Sequence, residues 1–185
     1  RVRTMPKATL VKMAGRAGGG GNEFAASCDM RFGVRHKTVI NQMEVPLGIL
    51  PGGSGTQRLP RLVGTGRALE ICLGGDDIDA ETCANWGYLN RIFDSSGEMS
   101  DFVDQLAYRI AKWPAEAIGL CKQSINNAEL PIMEGLLEEA HLFQQTLRSR
   151  GAQENMRRAL QVGLQTREGE SRMGQLAELF SGEDP

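Results

Sequence analysis

Four consecutive glycines, Gly18 to Gly21, stand between the apolar run Ala8 to Ala14 and the helix formers Phe24 to Ser27. A run of this kind after a strand reads as a tight turn feeding a helix, because glycine tolerates backbone conformations that other residues avoid. The first backbone N–H groups of such a helix have no partner within it and carry partial positive charge, so they can hold an anion or stabilise charge developing on a carbonyl oxygen. Two phosphate-binding readings fail on their own terms: the run lacks the spacing of a dinucleotide fingerprint, and no Gly-Lys-Ser/Thr follows. What distinguishes it is Glu23, an acidic residue inside the first turn of the same helix, which a helix dipole alone would also favour.

A second carboxylate stands in an unusual place. Glu44 lies on an apolar segment, where a charge is costly unless paired or hydrogen-bonded, and it precedes Pro51 to Gly55, a small-residue turn that lets backbone approach a ligand closely. Thr56 is positioned to start the next helix. An ordinary loop with a solvated Glu44 fits that segment equally well when it is taken alone.

The 185 residues suffice for an ordinary core. Apolar residues make up 41% and charged residues 24%, with a formal net charge of -2, values that disfavour disordered and membrane classes and give no footprint for nucleic acid. Cys28, Cys72, Cys83 and Cys121 are widely spaced and read as buried thiols of a reducing compartment; with only His36 and His141 in the chain, no metal site is expected. The expected setting is cytoplasmic or an organelle matrix such as that of the mitochondrion.

The 23 glycines concentrate in the first 75 positions, where Ala8 to Ala14 and Cys28 to Val34 read as strands. From Asp76 helical signals dominate: Asp79 caps a helix ending near Gly87, and Tyr88 to Phe93 reads as one more strand. Phe102, Val103, Leu106 and Ile110 share a helix face, Pro114 and Pro131 open two further helices, and Met156 to Leu164 and Met173 to Leu179 suggest two more. Arg58, Arg61 and Arg67 are expected to be solvated or paired with Asp76 and Asp77. The reading is an α/β part over residues 1–75 followed by a helix-rich part over 76–185.

The two acidic segments together resemble one family. Lys7 to Gly15, Ala17 to Glu23, Cys28-Asp29, Gln42 to Glu44 and Gly48 to Leu59 follow, in order and spacing, the enoyl-CoA hydratase/isomerase (crotonase) superfamily. The resemblance continues through Gly64, Arg67, Ala68, Leu73 to Ala80 and Trp86 to Asn90, covering about Pro6 to Asn127. It implies a crotonase-like ββα spiral, partial because an N-terminal part is absent, followed by a C-terminal helical region that commonly forms trimers or pairs of trimers. It implies an acyl-CoA thioester as substrate, with coenzyme A part of that substrate and no separate cofactor; the near-neutral composition and the lack of a long apolar run lead to the expectation of no nucleic acid and no membrane partner. In the family's hydratases the residue matching Glu23 activates water and that matching Glu44 exchanges a proton at the α-carbon. Gly20 matches a backbone oxyanion donor, and Gly19 and Gly52 match substrate-contacting positions. Double-bond isomerisation, and a non-catalytic scaffold, stay open beside hydration. The chain departs from the pattern at Asn22, where a small apolar residue or cysteine is common, at Met43, where proline is common, by one extra residue near Arg35 to Lys37, and in a tail that lacks the usual final motif.

Overall fold

Short parallel strands carry the first hundred residues. The structure is a computed structural model and describes residues 1–171 and Gly174. Strand β1 (Leu10–Met13) pairs in parallel with β3 (Met30–Val34), which pairs in parallel with β6 (Arg91–Phe93). In a second sheet β2 (Arg16–Gly18) runs parallel to β4 (Val39–Asn41), and β4 pairs antiparallel with β5 (Ile78–Asp79). The chain thus steps from one sheet to the other and then into a helix: β1, β2, α1 (Gly20–Ser27), and again β3, β4, α2 (Gly55–Val63). This is the expected ββα progression. It continues through α3 (Thr65–Gly74), α4 (Ala80–Asn85) and α5 (Ser96–Ala111).

The strands are shorter than their apolar runs, for local reasons. Thr9 N and Oγ1 both donate to Asp29 Oδ2, at 2.7 and 2.8 Å, and Asp29 N donates to Thr9 Oγ1 at 2.9 Å, so before Leu10 side-chain bonds stand beside the backbone bond from Met30 N to Thr9 O at 3.1 Å. Tyr88 and Leu89 do not join β6, because both their N–H groups turn back to the Cys83 carbonyl at the end of α4. Asp79 caps α4 as expected, accepting from Thr82 N at 2.8 Å. Near Arg35 the chain makes a tight turn where His36 takes φ 60° and Lys37 and Thr38 both donate to Val34 O. Helix α2 begins one residue before the expected start at Thr56, and α3 is not among the expected helices.

By internal contacts the chain divides into residues 1–3 with 9–107 and residues 4–8 with 108 onward. The first unit has one core in which Met13, Ile40, Leu59, Ile71, Tyr88 and Leu89 are buried, and a smaller one around Phe32, Val34, Met99 and Val103. Phe102 stacks beside the latter, 5.7 Å from Phe32 and 5.3 Å from Phe93 between ring centres.

In the second unit, α6 (Ala115–Asn126) has no fully buried residue, α7 (Ile132–Arg148) buries only Leu142 and α8 (Arg150–Gln161) only Ala159. A short helix, α9 (Arg167–Ser171), follows. Residues 4–8 lie along α6, where Lys122 Nζ donates to Lys7 O at 2.9 Å. Cys28, Cys72 and Cys83 are buried, but Cys121 is exposed, because the face of α6 that carries it is uncovered. The expected helix over Met173 to Leu179 lies outside the described residues. Among the described residues no helix is long and apolar enough to cross a membrane.

Candidate active site

The β2–β4 pair builds the site. Parallel pairing sets Gly18 opposite Asn41, and Gly19 N donates to Asn41 O at 2.9 Å, so both strands deliver their following residues to one edge. After β2 comes Gly19, with φ 53°, then the start of α1; after β4 come Gln42, Met43 and Glu44. The two glutamates, 21 positions apart in sequence, are therefore brought to neighbouring strand ends. Gly19 sits so close to Glu44 that a Cβ there would lie 2.9 Å from Glu44 Oε1. A side chain at this position would be strained by its φ and would collide with the carboxylate.

Glu23 is buried, at 5% exposure, one turn into α1. Its Oε1 accepts two backbone hydrogen bonds, from Gly53 N at 2.8 Å and Gly55 N at 2.7 Å. Beyond any effect on its own helix, this carboxylate closes the N-terminus of α2 and satisfies donors that would otherwise be orphaned. The loop comes near enough only because it is glycine: a Cβ on Gly53 would lie 2.5 Å from Glu23 Oε2, and one on Gly55 3.0 Å from Oε1. Between them Ser54 takes φ 101° and its hydroxyl pairs with Ser27 Oγ at 3.1 Å.

Gly20 and Glu23 face an open cavity of about 450 Å³, lined also by Phe24, Gly53, Ser54 and Arg58. A Cβ on Gly20 would meet nothing within 4 Å, so the Cα at this helix start borders open space. Gly52, by contrast, is exposed, and the nearest atom to a Cβ there is Leu50 O at 3.9 Å. The structure brings Glu23, Gly20, Gly19 and Glu44 together, and it is Gly53 and Gly55, not Gly52, that hold Glu23. The spacing of the glycines signalled a close approach in this loop, without saying which glycine made it.

Two further side chains complete the floor. Gln42 Nε2 donates to Glu44 Oε2 at 3.1 Å, and Asn22 Nδ2 donates to Gln42 Oε1 at 2.7 Å. Cys72 of α3 is buried nearby; burial pushes its thiol up, and Glu44 and Glu23 add to that rise. Of the other polar candidates, only Arg58 lines the cavity among the described residues. His36 and His141 are exposed, Asp77 is bound by Arg16 in place of the expected Arg58, Arg61 or Arg67, and Arg67 lies 5.6 Å from the Trp86 ring.

The sequence model of the enoyl-CoA hydratase/isomerase family matches residues 1–163. Among curated proteins, the chain is 36% identical over 126 residues to the short-chain-enoyl-CoA hydratase of Clostridium acetobutylicum, covering 68% of this chain and 48% of that protein. It is 31% identical over 138 residues to the 1,2-epoxyphenylacetyl-CoA isomerase of Escherichia coli, covering 75% and 52%. Among solved structures, an enoyl-CoA hydratase from Geobacillus kaustophilus superposes with a TM-score of 0.81 at 32% identity, over 86% of this chain and 61% of that one. The chain spans about half the length of these curated relatives. On the match of its sequence and the likeness of its fold, the chain belongs to the enoyl-CoA hydratase/isomerase family.

Proposed function

We propose that the protein hydrates 2-enoyl-CoA thioesters, with Glu23 and Glu44 dividing the acid–base work. The observation that carries this reading is the convergence of two separately held carboxylates on the start of one helix: Glu44 Oε1 beside Gly19, and Glu23 in the cavity that Gly20 borders. Hydration of a conjugated thioester needs one group at the β-carbon and another at the α-carbon, and two carboxyls in different surroundings can take these parts.

Glu23 has Oε1 fixed by two N–H groups, which leaves Oε2 to bind a water and take its proton as the water oxygen bonds to the β-carbon. The electrons of the double bond move toward the thioester oxygen, where the Gly20 N–H and the dipole of α1 stabilise the charge. Glu44 Oε1 then gives a proton to the α-carbon, and the cycle closes when the proton on Glu23 returns to Glu44 through solvent. Coenzyme A enters as part of the substrate. The exposed apolar faces of α6 and α7, with Ile125, Ile132, Leu137 and Phe143 outward, support a second reading about assembly: these faces pack against further copies of the chain.

The test is to give the full-length protein crotonyl-CoA and longer or branched 2-enoyl-CoAs, following loss of the conjugated thioester absorbance and appearance of 3-hydroxyacyl-CoA. Loss of absorbance with hydrated product supports the reading. No loss with any of these substrates, or conjugation gained from a 3-enoyl-CoA without hydrated product, would overturn it, the second result in favour of isomerisation.

A further inference from the structure

Behind Glu44 three buried polar side chains of the first unit form a line. The Tyr88 hydroxyl, just after α4, donates to Asn22 Oδ1; Asn22 Nδ2 donates to Gln42 Oε1; Gln42 Nε2 donates to Glu44 Oε2. Tyr88, Asn22 and Gln42 are each 0% exposed, so water cannot substitute for any member. An amide presents either its N–H or its carbonyl, and here the far end decides which. With the exchangeable proton carried on Oε1, Glu44 Oε2 can only accept, so Gln42 must turn its NH2 to it and its carbonyl to Asn22. Asn22 must then turn its NH2 to Gln42 and its carbonyl to Tyr88, which is left to donate. The only group in the line with a freely rotating proton sits where a donor is required.

Tyr88 is itself fixed. Arg31 lies 5.4 Å from the centre of its ring and donates Nε to the Tyr88 carbonyl at 2.7 Å. Burial pushes the Tyr88 hydroxyl well above its ordinary range, so it keeps its proton across any working pH. Asn22 immediately precedes Glu23 on α1, so the line also ties the helix that carries one glutamate to the strand end that carries the other.

We propose that Tyr88 and Asn22 are positioning residues for the reaction, locking the Gln42 amide so that Glu44 is held by Oε2 and left with Oε1, the oxygen beside Gly19, to exchange the proton. The proposal rests on the hydration reading for what Glu44 does, but not for how it is held.

The test uses Tyr88→Phe in the full-length protein, which removes one oxygen and keeps the ring against Arg31. With crotonyl-CoA its kcat is expected to fall roughly fivefold, about the worth of one hydrogen bond, while KM stays within about twofold. Asn22→Asp, which cannot donate to Gln42 Oε1, should lose more. The second readout is the Gln42 side-chain amide pair by 15N NMR: one sharp pair in the wild type, broadened or doubled in Tyr88→Phe. A purely structural role would instead lower the melting temperature and leave both kcat per folded molecule and the amide pair unchanged, and that result overturns the proposal. If the wild type hydrates no enoyl-CoA, a doubled amide pair in Tyr88→Phe still supports the holding of Glu44 while the hydration reading falls; an unchanged pair sinks the line itself.

Discussion

The two units of the chain differ in how much they bury, although both leave large apolar side chains outward, Leu47, Ile49 and Leu50 among those of the first. In the first unit, polar residues as deep as Asn22, Gln42 and Thr38 are buried and hydrogen-bonded, and the apolar core closes around them. In the second, amphipathic helices leave Ile132 at 74%, Leu137 at 70% and Phe143 at 60% exposure. A buried polar network is tolerable only when each member is satisfied, so the first unit has its organisation within the chain. Helices that leave large apolar side chains outward have buried little of their hydrophobic surface within it. The site residues described above all lie in the first unit.

The largest expected effect that could break this contrast is a pair of truncations. Leu59→Ala, at a fully buried position on α2, should cost about 3 kcal/mol by chemical denaturation, whereas Leu137→Ala should change the stability of the single chain by no more than about 0.5 kcal/mol. Equal costs at the two sites would show that the second unit buries its faces as the first does.

A finer contrast lies inside the loop that holds Glu23. Gly53→Ala drives a methyl group against the carboxylate and should destabilise by about 1 to 3 kcal/mol, while Gly52→Ala, with no atom nearer than 3.9 Å, should leave the thermal midpoint nearly unchanged. A tolerated Gly53→Ala would mean the loop does not hold Glu23 as described.

Smaller still is the cap of α4. The Thr82 backbone N–H holds the Asp79 carboxyl below its ordinary range, so the folded state prefers the ionised form. Its contribution is full above the ordinary carboxylate value and is lost as pH falls through the depressed folded value. Asp79→Ala should cost about 1 kcal/mol near neutrality, and Asp79→Asn should keep most of the cap and flatten the acid limb of the melting profile. An acid limb unchanged by Asp79→Asn would remove Asp79 from the account.

The sequence made these regions unequally legible. Asp79, Pro114 and Pro131 announced the helices they begin, since caps and prolines act locally. Strands β2, β4 and β5 went unread because two or three residues are too few to show a period, and their stability comes from pairing across the chain. Glu23 and Glu44 stood out as carboxylates in settings that need a reason. Their partners did not: Gly53 and Gly55 return from 30 and 32 positions away, and Tyr88 meets Asn22 across 66. Asn22 was visible as a departure from the family pattern, but its meaning waited on Tyr88. Cys121 was misread as buried because an amphipathic helix tells which face is apolar, not whether anything covers it.

The central claim is that Glu23 and Glu44 divide the acid–base chemistry. Turnover of Glu23→Gln and Glu44→Gln in the full-length protein tests it most directly, since a glutamine at position 23 still offers an oxygen to the Gly53 and Gly55 N–H groups and should spare the fold. Each substitution is expected to lower kcat on crotonyl-CoA by at least about a hundredfold with a thermal midpoint close to that of the wild type. Near-normal turnover in either variant would contradict the account and take that glutamate out of the reaction.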